Sequence, residues 1–347
     1  MTKRNLYISL SITAMIILMA ALFCLTLLHG SVKIPLESVL NILSGSDGEK
    51  GSWTNIVLQT RLPQAITATL CGAALAISGL MLQTLFRNPL AGPSILGISD
   101  GANLGVAIVI MGGGLLSAKI PMLNLTGNLL LVGGALVGAF SVLALIIYLS
   151  ARVKNAVILL IIGIMIGYMA SAFISILNYY APADQVHSFV MWGMGDFSDV
   201  TLQKLPFFAP FILLALFFSM LLIKPLNALL LGEQYAINLG VKIKSLRILI
   251  LICTGTLTAI VTAYCGPISF IGLAVPHVAR MTVRSSNFKL LLPVTLLAGA
   301  NVALLCNLLT ILPGGNSILP LNAVTPLFGA PIILYVLLNR RQQLYFE

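Results

Sequence analysis

The sequence predicts an all-α polytopic membrane protein of about ten transmembrane helices, and three observations carry that expectation. Of 347 residues, 59% are hydrophobic and 8% charged, with a mean hydropathy of +1.05; a soluble domain carries roughly 25% charged residues. A helix needs about 20 apolar residues to cross hydrocarbon. The chain offers such stretches at 6–29, 62–86, 95–116, 122–150, 157–180, 207–226, 246–265, 270–283, 289–309 and 319–338. Its basic residues fall mostly in alternate connections between these stretches.

The first span follows Lys3 and Arg4 without a small-residue cleavage site, so it reads as an uncleaved anchor. With a cytoplasmic N-terminus, Lys3, Arg4, Arg87, Arg152, Lys154, Lys224, Lys242, Lys244, Arg247, Arg280, Arg284, Lys289, Arg340 and Arg341 lie inside. Only Lys33, Lys50, Arg61, Lys119 and Lys204 lie outside. Fourteen against five follows the positive-inside bias and puts both termini in the cytoplasm. Anionic lipid then accounts for the net charge of +10, with no nucleic-acid partner needed.

Glu37, Asp47, Glu49, Asp184, Asp196 and Asp199 all fall in outer connections, and only Asp100 lies inside an apolar stretch. A carboxylate at bilayer depth costs about 2.5–3.5 kcal/mol, and an ion-driven carrier needs several with partners. Their scarcity points to an external energy source. The chain has no Gly-x-x-x-x-Gly-Lys-Ser/Thr phosphate loop, so ATP hydrolysis must reside on another polypeptide. Cys24, Cys71, Cys253, Cys265 and Cys306 are scattered without pairing or ligand spacing and read as small apolar fillers. His29, His187 and His277 are equally dispersed, so neither a metal cage nor a catalytic triad is expected. The Asn124-Leu125-Thr126 sequon reads as accidental.

Two stretches carry more than hydropathy. In the second span, Gly72, Ala76 and Gly79 permit close helix approach, which suits a central helix. Pro89 and Pro93 then stop the helix, leaving Asn88 to Gly92 as irregular backbone, either a gate or a plain connector. The second stretch runs from Tyr264 through Gly266-Pro267, Phe270-Ile271-Gly272-Leu273 and Pro276-His277 to Arg280, echoing Gly92-Pro93-Ser94-Ile95-Leu96-Gly97-Ile98. Lying at opposite surfaces, the pair implies an inverted repeat of spans two to five against seven to ten. His277 reads as a proton relay or a helix-packing hydrogen bonder.

A polar island, Gly232 to Lys244, interrupts the lipid-suited sequence. Leu231, Tyr235, Ala236 and Leu239 recur at helical spacing on one face of a short helix. Glu233 suits its N-terminus, and Gly240 can supply a left-handed cap before Val241 starts a second segment. The island is either a docking surface or a basic turn on lipid headgroups.

Arg61-Leu62-Pro63, the run Gly72 to Gly79, Asn88-Pro89-Leu90-Ala91, the stretch Gly266 to Arg280 and Gly329-Ala330-Pro331 resemble the FecCD-type permeases over nearly the whole chain. These are membrane subunits of type II ABC importers for iron-siderophore complexes, haem and cobalamin. The resemblance implies one permease domain over 1–347, with 227–245 as a coupling loop of two short helices. It implies a homodimer, two cytoplasmic ATPase subunits that hold ATP and Mg, and an extracytoplasmic binding protein. The chain itself would bind no cofactor and catalyse nothing.

The resemblance assigns ATPase coupling to Gly232, Glu233, Tyr235, Ala236, Leu239 and Gly240. It assigns gating to Asn88, Pro89 and Leu90 and to Ala156 and Val157. The fifth span, with Gly163 and Gly167, would face its dimer mate along the pathway. Gly266, Pro267, Gly272, Pro276, His277 and Arg280 form a structural motif, and Arg61 would meet the binding protein. The match is incomplete: Gln64 stands where a second arginine is common, Asn307 and Ile311 replace an Asp-x-x-x-Arg pair, and Ile318 and Asn322 replace a Glu and a Gly.

Elsewhere on the outer side, Leu36, Val39, Leu40 and Leu43 form a helical stripe suited to a surface helix packed on the rim. Residues 189–196, with Trp192-Gly193-Met194-Gly195, resemble the family's periplasmic connection or anchor aromatics at the interface. An ion-coupled secondary transporter would also accommodate broken spans. A membrane-embedded enzyme built on His277 would lack a second catalytic partner.

Overall fold

The computed structural model describes residues 3–30, 32–45, 51–117, 127–153, 155–311 and 319–338, and all regular structure among them is helical. The helices are α1 (Lys3–Leu28), α2 (Leu36–Ser44), α3 (Gly51–Asn55), α4 (Leu62–Phe86), α5 (Ile98–Ser117), α6 (Gly127–Arg152), α7 (Ala156–Tyr180) and α8 (Ala183–Gly193). They continue with α9 (Leu205–Leu221), α10 (Ile223–Leu230), α11 (Glu233–Asn238), α12 (Ile243–Cys265), α13 (Ile271–Val283), α14 (Phe288–Ile311) and α15 (Leu321–Leu338). The expectations resting on Asp47, Glu49, Lys50, Lys119, Asn124, Lys154, Ile318, Arg340 and Arg341 lie outside the described residues.

Six helical segments are long and apolar enough to cross a membrane; α9 and α10, bent by 52°, make a seventh if counted as one crossing. Three shorter apolar helices lie in α5, α13 and α15. These ten units stand in the order of the ten expected spans. The second starts earlier than expected: a π-helical turn at Ile56–Arg61 joins α3 to α4, so one helical unit runs from Gly51 to Phe86.

At one end, called here the basic end, lie Arg87, Arg152, the 227–242 connection and Arg280 to Lys289, as an Arg247–Val153 contact and an Asn227–Asn287 contact show. The opposite end gathers 27–30, 32–45, 51–61, 192–200, 265–270, 307–311 and 319–322.

The centre is α4. Every residue from Cys71 to Phe86 is buried, as expected of a helix apolar on all sides. Its glycines set the packing: a methyl group at Gly72 would lie 2.2 Å from the Gly299 carbonyl of α14, and one at Gly79 would lie 1.6 Å from the Gly272 carbonyl of α13. Only absent side chains permit such backbone approach. Buried hydroxyls add polar joins, Ser78 to Thr258 at 3.3 Å and Ser99 to Thr262 at 3.2 Å, holding α12 against α4 and α5.

Two expectations are corrected. The cysteines are not all scattered, because Cys71 and Cys265 meet with their Sγ atoms 3.5 Å apart, both fully buried. The α2 stripe also splits: Val39 and Ile42 pack inward, whereas Leu36, Leu40 and Leu43 are exposed. Leu residues spaced three and four apart mark a helical face, but spacing alone does not say which side that face meets.

Gly79→Ala is expected to destabilise the detergent-solubilised protein by about 1–3 kcal/mol, the usual range for overpacking, with reduced yield of monodisperse protein. Gly133→Ala, where nothing lies within 4 Å of the added methyl, should leave the denaturation midpoint unchanged.

Candidate functional site

At the basic end α10 lies down against α4 and α14, burying Leu226 and Leu229. Gly232, at φ +118°, turns the chain into α11. Within α11 Ala236 is fully buried, whereas Leu231, Tyr235, Ile237 and Leu239 are half or more exposed. The four residues of the expected face therefore divide: Ala236 anchors the helix and the others point away, joined by Ile237, which the spacing did not single out.

The left-handed cap forms as expected, with Gly240 at φ +82°. Val241 N–H donates to the Ala236 carbonyl at 3.0 Å and Gly240 N–H to the Ile237 carbonyl at 2.9 Å, the two bonds of a Schellman cap. Residues after the cap differ from expectation, since the long α12 begins at Ile243. The two short helices are α10 and α11.

Arg247, on α12, ties this loop to another. Its guanidinium lies 3.7 Å from the Glu233 carboxylate and donates to the Val153 carbonyl at 2.9 Å. Two residues later Asn155 caps α7, its Oδ1 accepting from Val157 N–H at 2.8 Å. Ala156 and Val157 thus start a helix whose approach is held to the turn carrying Glu233. An asparagine before an apolar run is a readable cap signal. Arg247 carries no such signal, because its partners are distant in sequence.

Asn88 to Gly92 form the irregular segment the prolines demand. Arg87 ends α4 in the left-handed region at φ 46°. Asn88 N–H bonds the Gln83 carbonyl, Ala91 N–H bonds the Asn88 carbonyl, and Leu90 N–H bonds Asn88 Oδ1 at 2.9 Å. From α13, His277 Nε2 approaches the Pro89 carbonyl at 2.9 Å. A carbonyl only accepts, so Nε2 carries the proton. Arg280 donates to Gln83 Oε1 at 2.6 Å, and Gln83 Nε2 donates to the Leu273 carbonyl at 3.1 Å. His277 is thereby a packing hydrogen bonder.

The two echoing stretches also touch, with Gly272 against the Pro93 ring and Gly92 beside Leu273. Pro276 sits inside α13. A cavity of about 120 Å³ lies beside the Gln83–Arg280 bond, lined by Gln83, Arg87 and Arg280 on one side and by 229–232 on the other.

At the opposite end Arg61 is corrected. Only 4% exposed, it donates to the carbonyls of Leu27 at 2.8 Å, Leu28 at 2.9 Å and Val32. It satisfies the C-terminal carbonyls of α1 instead of facing a soluble partner. Two departures noted separately are one contact: Gln64 Nε2 donates to Asn307 Oδ1 at 3.0 Å, while Ile311 closes α14.

Asn322 makes three bonds to two segments, donating to the Gly193 carbonyl at 3.1 Å and to the Pro267 carbonyl, and accepting from Ser269 N–H at 3.1 Å. It thus holds the extended run after Gly266, which itself sits at φ +73° against the Trp192 carbonyl. Nearby, partial burial and then Asp196 raise the Asp199 carboxyl above its usual range, with Lys204 opposing.

The α7 glycines are corrected too. Gly163 packs on Ile95 and Leu96 in the turn before α5, and Gly167 on the Asp100 carboxylate of α5, so both face inward. The outward face of α7 instead carries Ile158, Ile161, Met165, Tyr168 and Met169.

The FecCD transport family model matches residues 17–339. Among curated proteins, the chain is 32% identical over 315 residues to the hemin transport system permease protein HmuU of Yersinia pestis, covering 90% of this chain and 91% of that one. It is 33% identical over 297 residues to the vitamin B12 import system permease protein BtuC of Klebsiella pneumoniae subsp. pneumoniae, covering 84% and 86%. A solved structure described as a metal-chelate type ABC transporter in an inward-facing conformation superposes with a TM-score of 0.79 at 31% identity, covering 93% and 96%.

Arg61→Ala, which orphans carbonyls at the end of α1, is expected to cost about 1–3 kcal/mol of stability, read as a lowered denaturation midpoint in detergent.

Proposed function

Because the chain belongs to the FecCD transport family, we propose that it forms the membrane half of an importer driven by ATP hydrolysed on separate cytoplasmic subunits. The observation that carries this is α11: a short capped helix at the basic end, anchored by Ala236 and presenting Leu231, Tyr235, Ile237 and Leu239 outward. Exposed apolar side chains clustered on a rigid element suit a protein partner. The basic end is cytoplasmic in this reading, as positive-inside sorting requires, and the membrane is a bacterial inner membrane.

Closure of two ATPase subunits moves α11 as a lever. Arg247 passes the movement toward Ala156 and Val157, and Arg87, on the cavity wall, leads in sequence to Asn88, Pro89 and Leu90. A second copy of the chain covers the outward apolar face of α7, and the pathway runs between the two copies. Alternating access follows if the broken stretches at 88–97 and 266–270 are the two gates of an inverted repeat. An extracytoplasmic binding protein delivers cargo to the end holding Asn322 and the Asp196–Asp199 pair. The cargo class is a bulky metal chelate: haem, cobalamin or an iron-siderophore complex, as the relatives named for hemin and vitamin B12 support.

The test is uptake by proteoliposomes containing the chain, its cognate ATPase and its binding protein. Uptake should require ATP and persist when ion gradients are collapsed; uptake without the ATPase that collapses with the gradient would overturn the reading. Replacing both outward residues, Tyr235→Asp with Leu239→Asp, should abolish substrate-stimulated ATP hydrolysis while membrane insertion stays normal.

A further inference from the structure

We propose that Gln83, His277 and Arg280 are positioning residues forming a clasp that carries displacement of the coupling helix to the gate loop at Pro89. The proposal rests on the permease reading above and names the linkage inside it.

Three features support it. First, the Leu273 carbonyl, His277 and Arg280 are spaced four and three residues apart along α13, so one helix face makes all three contacts. Second, those contacts hold the irregular loop from both sides. Gln83 accepts Asn88 N–H on its main-chain carbonyl while its side chain engages α13, and His277 grips the next residue, Pro89. Asn88 meanwhile takes the N–H groups of Leu90 and Ala91, so 88–91 is a small stitched unit. It is bounded by Arg87, in the left-handed region, and by Gly92, which is extended.

Third, the cavity of about 120 Å³ separates the clasp from the turn before α11, with Arg280, Gln83 and Arg87 on one wall and Leu231 and Gly232 on another. Across it a methyl group on Gly232 would lie 3.5 Å from the Arg87 guanidinium, so movement of that turn reaches the residue that opens the loop. Apolar side chains would fill the α4–α13 contact without the desolvation cost of a buried guanidinium. A polar clasp instead gives the loop one bonded position and a released one.

The experiment compares the native chain with His277→Leu, which removes the donor, and His277→Gln, which keeps one. In proteoliposomes with the cognate ATPase and binding protein, His277→Leu should hydrolyse ATP yet import about tenfold less cargo per ATP. His277→Gln should recover most of the loss. Where leucine is not tolerated in folding, His277→Asn, polar but too short to reach Pro89, serves the same purpose.

A second readout needs no ATP. With exposed Cys24 replaced by Ser, a Leu90→Cys chain in detergent is labelled with a water-soluble maleimide. The His277→Leu background should label about three- to tenfold faster, as loss of one hydrogen bond implies. Unchanged cargo per ATP together with unchanged labelling overturns the clasp. If the native chain shows no ATP dependence, the permease reading falls, and the labelling result alone decides the clasp.

Discussion

Backbone contact between helices, without side chains between them, is the constraint on which the structure depends. Gly79 of α4 lies against the Gly272 carbonyl of α13, and Gly72 lies against Gly299 of α14. In lipid there is no hydrophobic force between helices, so van der Waals contact at short range must hold the bundle together. α4 and α13 both run toward the basic end from their shared contact. Their register there decides which side chains can meet further along. Gln83, four residues beyond Gly79, falls within reach of Leu273 and Arg280, and the loop after α4 falls within reach of His277.

The same contact explains why polar groups are tolerated at this depth. Arg280, His277 and Gln83 are all buried, yet each has a hydrogen-bond partner that a misregistered pair of helices would remove. Buried polar networks of this kind favour one arrangement over its near neighbours. At the basic end Arg247 plays a related part, joining Glu233 to the turn before α7. The two arginines therefore stand at the two branches leading from the 227–242 connection into the bundle.

Much of this was legible in the sequence because periodicity and breakers report local backbone. Pro89 and Pro93 mark the irregular loop, Gly240 marks the cap of α11, and Gly72 and Gly79 mark the centre of the bundle. What was not legible depends on which side of a helix faces inward. The resemblance puts Gly163 and Gly167 along a passage, yet they pack on Ile95, Leu96 and Asp100; helical spacing suits Leu36, Leu40 and Leu43 to the rim, yet they point away. Arg61 looked like a surface charge because nothing in its neighbourhood names the carbonyls 29 to 34 residues earlier that absorb it. Cys71 and Cys265 are likewise joined by tertiary packing across 194 residues.

The Gln64–Asn307 contact bears on how the bundle is put together. An arginine on one helix and an aspartate on another would each be costly to insert before its partner arrived. Two amides carry no formal charge, so α4 and α14 can enter the bilayer separately and find each other afterwards. Their join also carries no ionisable group, and it should hold equally well in dilute and concentrated salt and across a wide range of pH.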